Sequence, residues 1–140
     1  GWPGCGLAHR PGGDVCVNVG GIGSQIGTAY WLCPEANTRP IHRAALQSYA
    51  ANFTARTNLF SGGAARGIVN RLIRELGPIN SLAPQFPLAA TAIASLRARA
   101  ESMGSGDFSP LWAGQNVSGC KEISAQLLTK ALANSFYKSH

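Results

Sequence analysis

The alternation of apolar and polar positions predicts one extended stretch followed by a series of amphipathic helices. In residues 22–32, Ile26, Thr28, Tyr30 and Leu32 fall on one face of an extended chain, and Gln25, Gly27, Ala29 and Trp31 fall on the other. Both faces are apolar or small, the pattern of a strand covered on both sides in a parallel sheet or barrel. Pro34 stops it. A helix is predicted over residues 41–51, with Thr38 as its N-cap ahead of Pro40. Residues 53–63 hold a short strand ending at a glycine turn. The next helix covers residues 65–78: Ile68, Val69, Leu72, Ile73 and Leu76 share one face, and Gly77-Pro78 ends it. Residues 88–103 form a further helix burying Leu88, Ala92, Ile93, Leu96 and Ala100, closed by "GSGD". An irregular loop then carries Trp112. The last helix, residues 124–136, uses Leu127, Leu128, Ala131, Leu132 and Phe136.

Residues 1–18 show no period, and only "DVCVNV", residues 14–19, looks strand-like. The chain thus divides into residues 1–36, an irregular start plus one buried strand, and residues 37–140, a mainly helical region. A lone parallel strand has no sheet to join, so the pattern implies a truncated α/β domain. The single methionine is Met103, not an initiator.

Composition narrows the class. With 45% apolar and 13% charged residues the chain is globular rather than disordered. No apolar run approaches the roughly 18 residues that span a bilayer, and the first residues lack a signal-peptide pattern. The expectation is a cytoplasmic protein without a membrane partner. Cys5, Cys16, Cys33 and Cys120 form no C-x-x-C pair, so buried thiols are expected rather than a metal site or a disulfide framework. The net charge of +6 comes largely from arginines scattered between Arg10 and Arg99. No aromatic residues interleave with them as a stacking platform, so nucleic acid is not an expected partner.

Catalytic chemistry is sparse. His9 lies in the unreadable start, His42 opens an amphipathic helix and His140 is terminal; G-x-S-x-G is absent, and no general base is recognisable. Binding chemistry is richer. Gly21, Gly23 and Gly27 miss the dinucleotide fingerprint by one residue and are not followed at once by a predicted helix. In a strand interior glycine marks close approach by a backbone or a ligand. Here it would let main-chain N–H groups face a phosphate, with the Thr28 hydroxyl as a further donor. Tight strand packing in a barrel core explains the same glycines equally well.

Three blocks break the tie by resemblance. "GSQIGTAYWLCPEA" (residues 23–36), "LFSGGAARGIVNRLIREL" (59–76) and "FPLAATAIASLRARAESMGSGDFSPLWAGQ" (86–115) resemble, in order and separation, segments of the nitronate monooxygenases, formerly 2-nitropropane dioxygenases. The resemblance implies an α/β protein, the C-terminal fragment of an FMN-binding (β/α)8 TIM barrel. One buried barrel strand would precede a mainly helical small domain. It implies a flavoprotein oxidoreductase whose partners are an alkyl nitronate and molecular oxygen. It further implies that Gln25, Ile26, Gly27 and Thr28 contact the FMN phosphate, with Gly20 or Gly21 a neighbouring glycine of that site. Trp112, Gly114 and Gln115 would lie on a loop returning towards the flavin and substrate pocket, while Arg66 and Asn70 hold the small domain together. The family's catalytic-histidine segment and its seventh-strand glycine motif are not found here. A frameshifted or misassembled start would explain that, and the isolated chain is expected to be inactive and to bind FMN weakly or not at all. Two alternatives stand beside this reading: another FMN barrel, of the enoyl-acyl-carrier-protein reductase type, and a non-catalytic helical interaction module.

Overall fold

Ala29, Leu32 and Cys33 recur at the i, i+3, i+4 spacing of a helix, and the backbone follows that spacing rather than the alternating one. In this computed structural model, which describes residues 25–137, Thr28–Leu32 is a 3₁₀ helix. The strand expected over residues 22–32 is thereby corrected: Thr28–Leu32 is helical, Gln25 makes only an isolated bridge, and residues 22–24 lie outside the described residues. The cause is packing. Ala29, Leu32 and Cys33 are all buried, and an extended chain would place Leu32 on the face opposite the other two. Gly27 therefore does lead directly into a helix, though one of only five residues. The strand-like residues 14–19 also lie outside the described residues.

In chain order the 3₁₀ helix is followed by α1 (Pro40–Gln47), a second 3₁₀ helix (Tyr49–Asn52), β1 (Thr54–Thr57), β2 (Ala65–Ile68), α2 (Arg71–Leu76), α3 (Leu88–Ala92), α4 (Ala94–Ser102) and α5 (Ala125–Tyr137). Among the described residues no helix is long and apolar enough to cross a membrane. The chain forms two compact units, one of Gly1–Thr38 with Gly114–His140, the other of Arg39–Ala113. The residues from Gly114 on belong to the first of these units.

In the first unit the 3₁₀ helix packs on α5 through Ala29, Cys33, Leu128 and Leu132, with Ile26, Tyr30 and Ile123 partly buried against them. Thr129 Oγ1 donates to Ala125 O (2.7 Å), so in its 2.8 Å contact with Tyr30 the phenol is the donor. The start of α5 is capped twice. Ser124 Oγ accepts from Leu127 N–H, and both Glu35 carboxylate oxygens accept from Ala125 N–H at 3.1 Å, placing negative charge at a helix N-terminus. Leu127, expected on the buried face, is 58% exposed.

In the second unit Pro40 forces its predecessor out of helical geometry, so the extended Arg39, not Thr38, is the N-cap of α1. The expected Thr38 cap is corrected accordingly, and its buried Oγ1 has no hydrogen-bond partner among the described residues. β1 and β2 form an antiparallel hairpin in which Thr54 faces Ile68 and Thr57 faces Ala65. The helix expected from residue 65 is thus a strand until Ile68. Gly67 and the β-branched pair Ile68-Val69 disfavour helix, and Asn70 then caps α2. A Cβ on Gly67 would sit 2.9 Å from Leu111 O, because β2 also pairs with residues 111–113 on its other edge: Ile68 N–H donates to Leu111 O and Ala113 N–H to Arg66 O. Gly62, at φ +86°, admits the backbone of residues 84–86, whose Phe86 N would lie 2.3 Å from an added Cβ. The core joins Leu59, Phe60, Leu72 and Ile73. The predicted 88–103 helix breaks at Ile93, and its buried positions are Ala89 and Ala100, while Leu88 and Leu96 are exposed.

Candidate functional site

The glycine-flanked segment is held from one side. Ile26 is committed to the core of the first unit, so only its main chain is available to a ligand. Gln25 and Gly27 are exposed and Thr28 is half-buried. Gly27 has φ −118° and ψ −58°, and among the described residues nothing lies within 4 Å of an added Cβ. Neither its backbone conformation nor a described neighbour demands glycine there. Among the described residues, the amides of Gly27 and Thr28 donate to no backbone carbonyl.

Thr28 is fixed at two points by the returning C-terminal segment. Its Oγ1 accepts from Gly114 N–H at 2.8 Å, and its carbonyl accepts from the Cys120 thiol at 3.2 Å. A Cβ on Gly114 would stand 3.2 Å from Thr28 Oγ1, tighter than ordinary contact. Cys120 stays a thiol: burial, then the neighbouring Cys33, push its pKa up to about 11. Sequence reasoning missed this role for Cys120, and no local spacing signals it.

The other expected loop residues separate. Gly114 meets Thr28 and Gln115 is exposed beside it. Trp112 belongs to the second unit, where its backbone bridges Gly67, its ring stands edge-on to Phe60 (centroids 5.8 Å apart, planes at 89°) and its carbonyl accepts from His42 Nε2 at 2.8 Å. Gly21 lies outside the described residues.

The second unit supplies structural chemistry. His42 is buried, and burial draws its pKa below the ordinary 6.5 against the opposing pull of the Trp112 carbonyl. Its Nε2 is held by that carbonyl rather than aimed into a cleft. Glu101 gathers Arg39 Nη1 (2.8 Å), Arg97 Nε (2.7 Å) and Ser109 Oγ (2.7 Å). Burial pushes its carboxyl up, but hydrogen bonds from Arg97 and Ser109 and the charges of both arginines hold it below its usual value. A shallow groove of about 380 Å³ between α1 and residues 104–111 is lined by Pro40, Ile41, Ala44, Ala45 and Leu111 with two glycines, none of them titratable. Among the described residues no three His, Cys, Asp or Glu side chains cluster as metal ligands.

Among the described residues these features define an α/β segment that offers main-chain amides and the Thr28 hydroxyl. The sequence profile of nitronate monooxygenase matches residues 4–135, and the chain belongs to that family. It is 31% identical over 129 residues to a probable nitronate monooxygenase of Bacillus subtilis and 33% identical over 128 residues to the nitronate monooxygenase of Pseudomonas aeruginosa. Those matches cover 92% and 91% of this chain, but the chain spans only 36% of either relative. Its fold is similar to that of nitroalkane oxidase from Streptomyces ansochromogenes, with a TM-score of 0.83 at 29% identity, over 97% of this chain and 39% of that one. FabK from Thermotoga maritima shares the fold at a TM-score of 0.64 and 16% identity, over 97% of this chain and 43% of that one.

Proposed function

We propose that this chain supplies the C-terminal, phosphate-holding third of an FMN-dependent nitronate monooxygenase, built as the end of a (β/α)8 barrel with a small helical domain. The observation that carries the reading is the family match over residues 4–135. The unexplained Gly27 beside Thr28 supports a ligand at that point. Gly21, the main chain of Gln25, Ile26 and Gly27, and the Thr28 hydroxyl are the groups we assign to the FMN phosphate; Trp112, Gly114 and Gln115 are assigned to the flavin-proximal loop. When bound, FMN supplies the redox chemistry that couples oxidation of an alkyl nitronate to molecular oxygen. The protein's part here is to fix and orient the cofactor's anionic end. Leu82, Phe86 and Leu88 are each more than half exposed, which supports a segment that operates within a longer polypeptide.

The 140 residues alone are inactive in this reading, because the family's catalytic-histidine segment is not found among them. The substrate is a small nitronate with oxygen, in the cytoplasm, with no nucleic-acid or membrane partner. The likeness to FabK, at 16% identity, speaks to fold alone. The test is an oxygen-uptake assay of a full-length protein containing this chain, with an alkyl nitronate, run beside NAD(P)H-dependent enoyl reduction. Nitronate-dependent oxygen consumption with stoichiometric FMN is the expected result. Enoyl reduction without nitronate oxidation, or a protein that retains no flavin, overturns the proposal.

A further inference from the structure

We propose that the main-chain amide of Gly114 is a positioning group that turns Thr28 into a dedicated hydrogen-bond donor towards a phosphate monoester. This rests on the reading of the Gln25–Thr28 segment given above. A threonine hydroxyl offers one proton and two lone pairs. Gly114 N–H occupies one lone pair of Thr28 Oγ1 at 2.8 Å, so the hydroxyl is already an acceptor towards residue 114. Among the described residues its proton is donated to nothing, and the Cys120 thiol holds the same residue at its carbonyl. The proton is thereby left for a group beside Gly27, where an added Cβ meets no described neighbour. Glycine at 114 follows from the same geometry, since any Cβ would crowd Oγ1 at 3.2 Å. Gly114 thus acts on the phosphate through Thr28.

The experiment titrates the flavin-free form of a full-length protein containing this chain with FMN and with riboflavin, following flavin fluorescence and reading the ratio of the two affinities. A loss of fold weakens both ligands together and leaves the ratio unchanged. Thr28→Val is expected to lower the FMN-to-riboflavin ratio about tenfold, the effect of one hydrogen bond to a charged group. Thr28→Ser is expected to restore it. Gly114→Pro, which deletes the amide donor, is expected to lower the ratio as well, and the double variant Thr28→Val with Gly114→Pro to lower it no further than Thr28→Val alone. Gly114→Ala, which keeps the donor but crowds Oγ1, is the second variant should proline disturb the fold. Additive losses, or an unchanged ratio in both Gly114 variants while Thr28→Val lowers it, overturn the positioning role and leave the phosphate site standing. Equal binding of FMN and riboflavin by the unaltered full-length protein, or binding of neither, overturns the phosphate site and the positioning role together.

Discussion

Replacing Asn70 separates two jobs that one side chain performs. Asn70 is 6% exposed. Its Nδ2 donates to Gly106 O (3.0 Å) and Ser109 O (2.9 Å), tying α2 to the loop before Trp112, while its Oδ1 accepts from Ile73 N–H at a long 3.4 Å. In Asn70→Ser a capping oxygen remains but the reach to both carbonyls is lost, an expected cost of about 2 kcal/mol at about 1 kcal/mol per buried hydrogen bond. Asn70→Ala loses the cap too, for a total of about 3 kcal/mol. Aspartate is as good an N-cap as asparagine, yet Asn70→Asp turns a carboxylate oxygen towards two carbonyl oxygens in a buried site. It is expected to be no more stable than Asn70→Ala at neutral pH. Burial and the facing carbonyls raise the new carboxyl's folded pKa above its unfolded value, so the deficit shrinks as pH falls and the protonated acid donates one hydrogen bond. Urea midpoints at unchanged m-value, taken at neutral and mildly acidic pH, measure all three variants. If Asn70→Asp lies within about 0.5 kcal/mol of the unaltered chain at neutral pH, capping is the whole role and the cross-link argument is refuted.

Four further outcomes follow from single contacts. Gly62→Ala, with its new Cβ 2.3 Å from Phe86 N at a positive φ, is expected to destabilise the fold by at least about 3 kcal/mol in urea unfolding; a midpoint near that of the unaltered chain would show that residues 84–86 move aside freely. Gly27→Ala is expected to leave stability within about 0.5 kcal/mol while weakening FMN binding by the full-length protein, as read by flavin fluorescence; equal binding sinks the ligand reading of that glycine. Because burial lowers the His42 pKa in the folded state, its stabilising contribution is present above the ordinary 6.5 and is lost as pH falls through the lower folded value. Thermal midpoints between pH 7.5 and 5 should therefore fall less steeply in His42→Gln than in the unaltered chain. Cys120, titrating near 11 instead of 9.0, holds about a hundredfold less thiolate at neutral pH than an ordinary thiol. Alkylation followed by peptide mass spectrometry should find it slow and still accelerating above pH 9; rapid labelling at neutral pH contradicts its burial.

Local signals were readable where one residue type decides the backbone. Pro40 at the start of α1, Gly77 after Leu76 and the serine ahead of α5 each mark a terminus close to the observed one. The hairpin was half visible, since residues 53–63 read as strand and turn, but its partner was absorbed into a helix. There the apolar spacing of Ile68, Val69, Leu72 and Ile73 outweighed Gly67 and the capping Asn70. Ile68 is fixed by pairing with Thr54 and Leu111, and Val69 by its N–H to Phe53 O, contacts more than ten residues away in sequence that no window could show. Small residues misled in the opposite direction. Ala100 is buried as expected, but α3 is anchored by Ala89, which the pattern passed over, while Leu88 and Leu96, which a hydrophobic count favours, are exposed.

The candidate site was legible as composition and not as geometry. Glycine beside a hydroxyl pointed to an anion, but the partner of that hydroxyl lies 86 residues along the chain and the partner of the same residue's carbonyl 92. The segment "PLWAGQ" shows why one motif can carry two kinds of demand. Leu111, Trp112 and Ala113 are already explained by the edge of β2, by Phe60 and by His42, and substituting any of them tests packing. Gly114 answers instead to Thr28, and Gln115 is exposed with no packing demand on it. A functional role therefore needs independent evidence least at Gly114, whose amide already meets a hydroxyl assigned to the ligand, and most at Trp112, whose surroundings suffice to explain it.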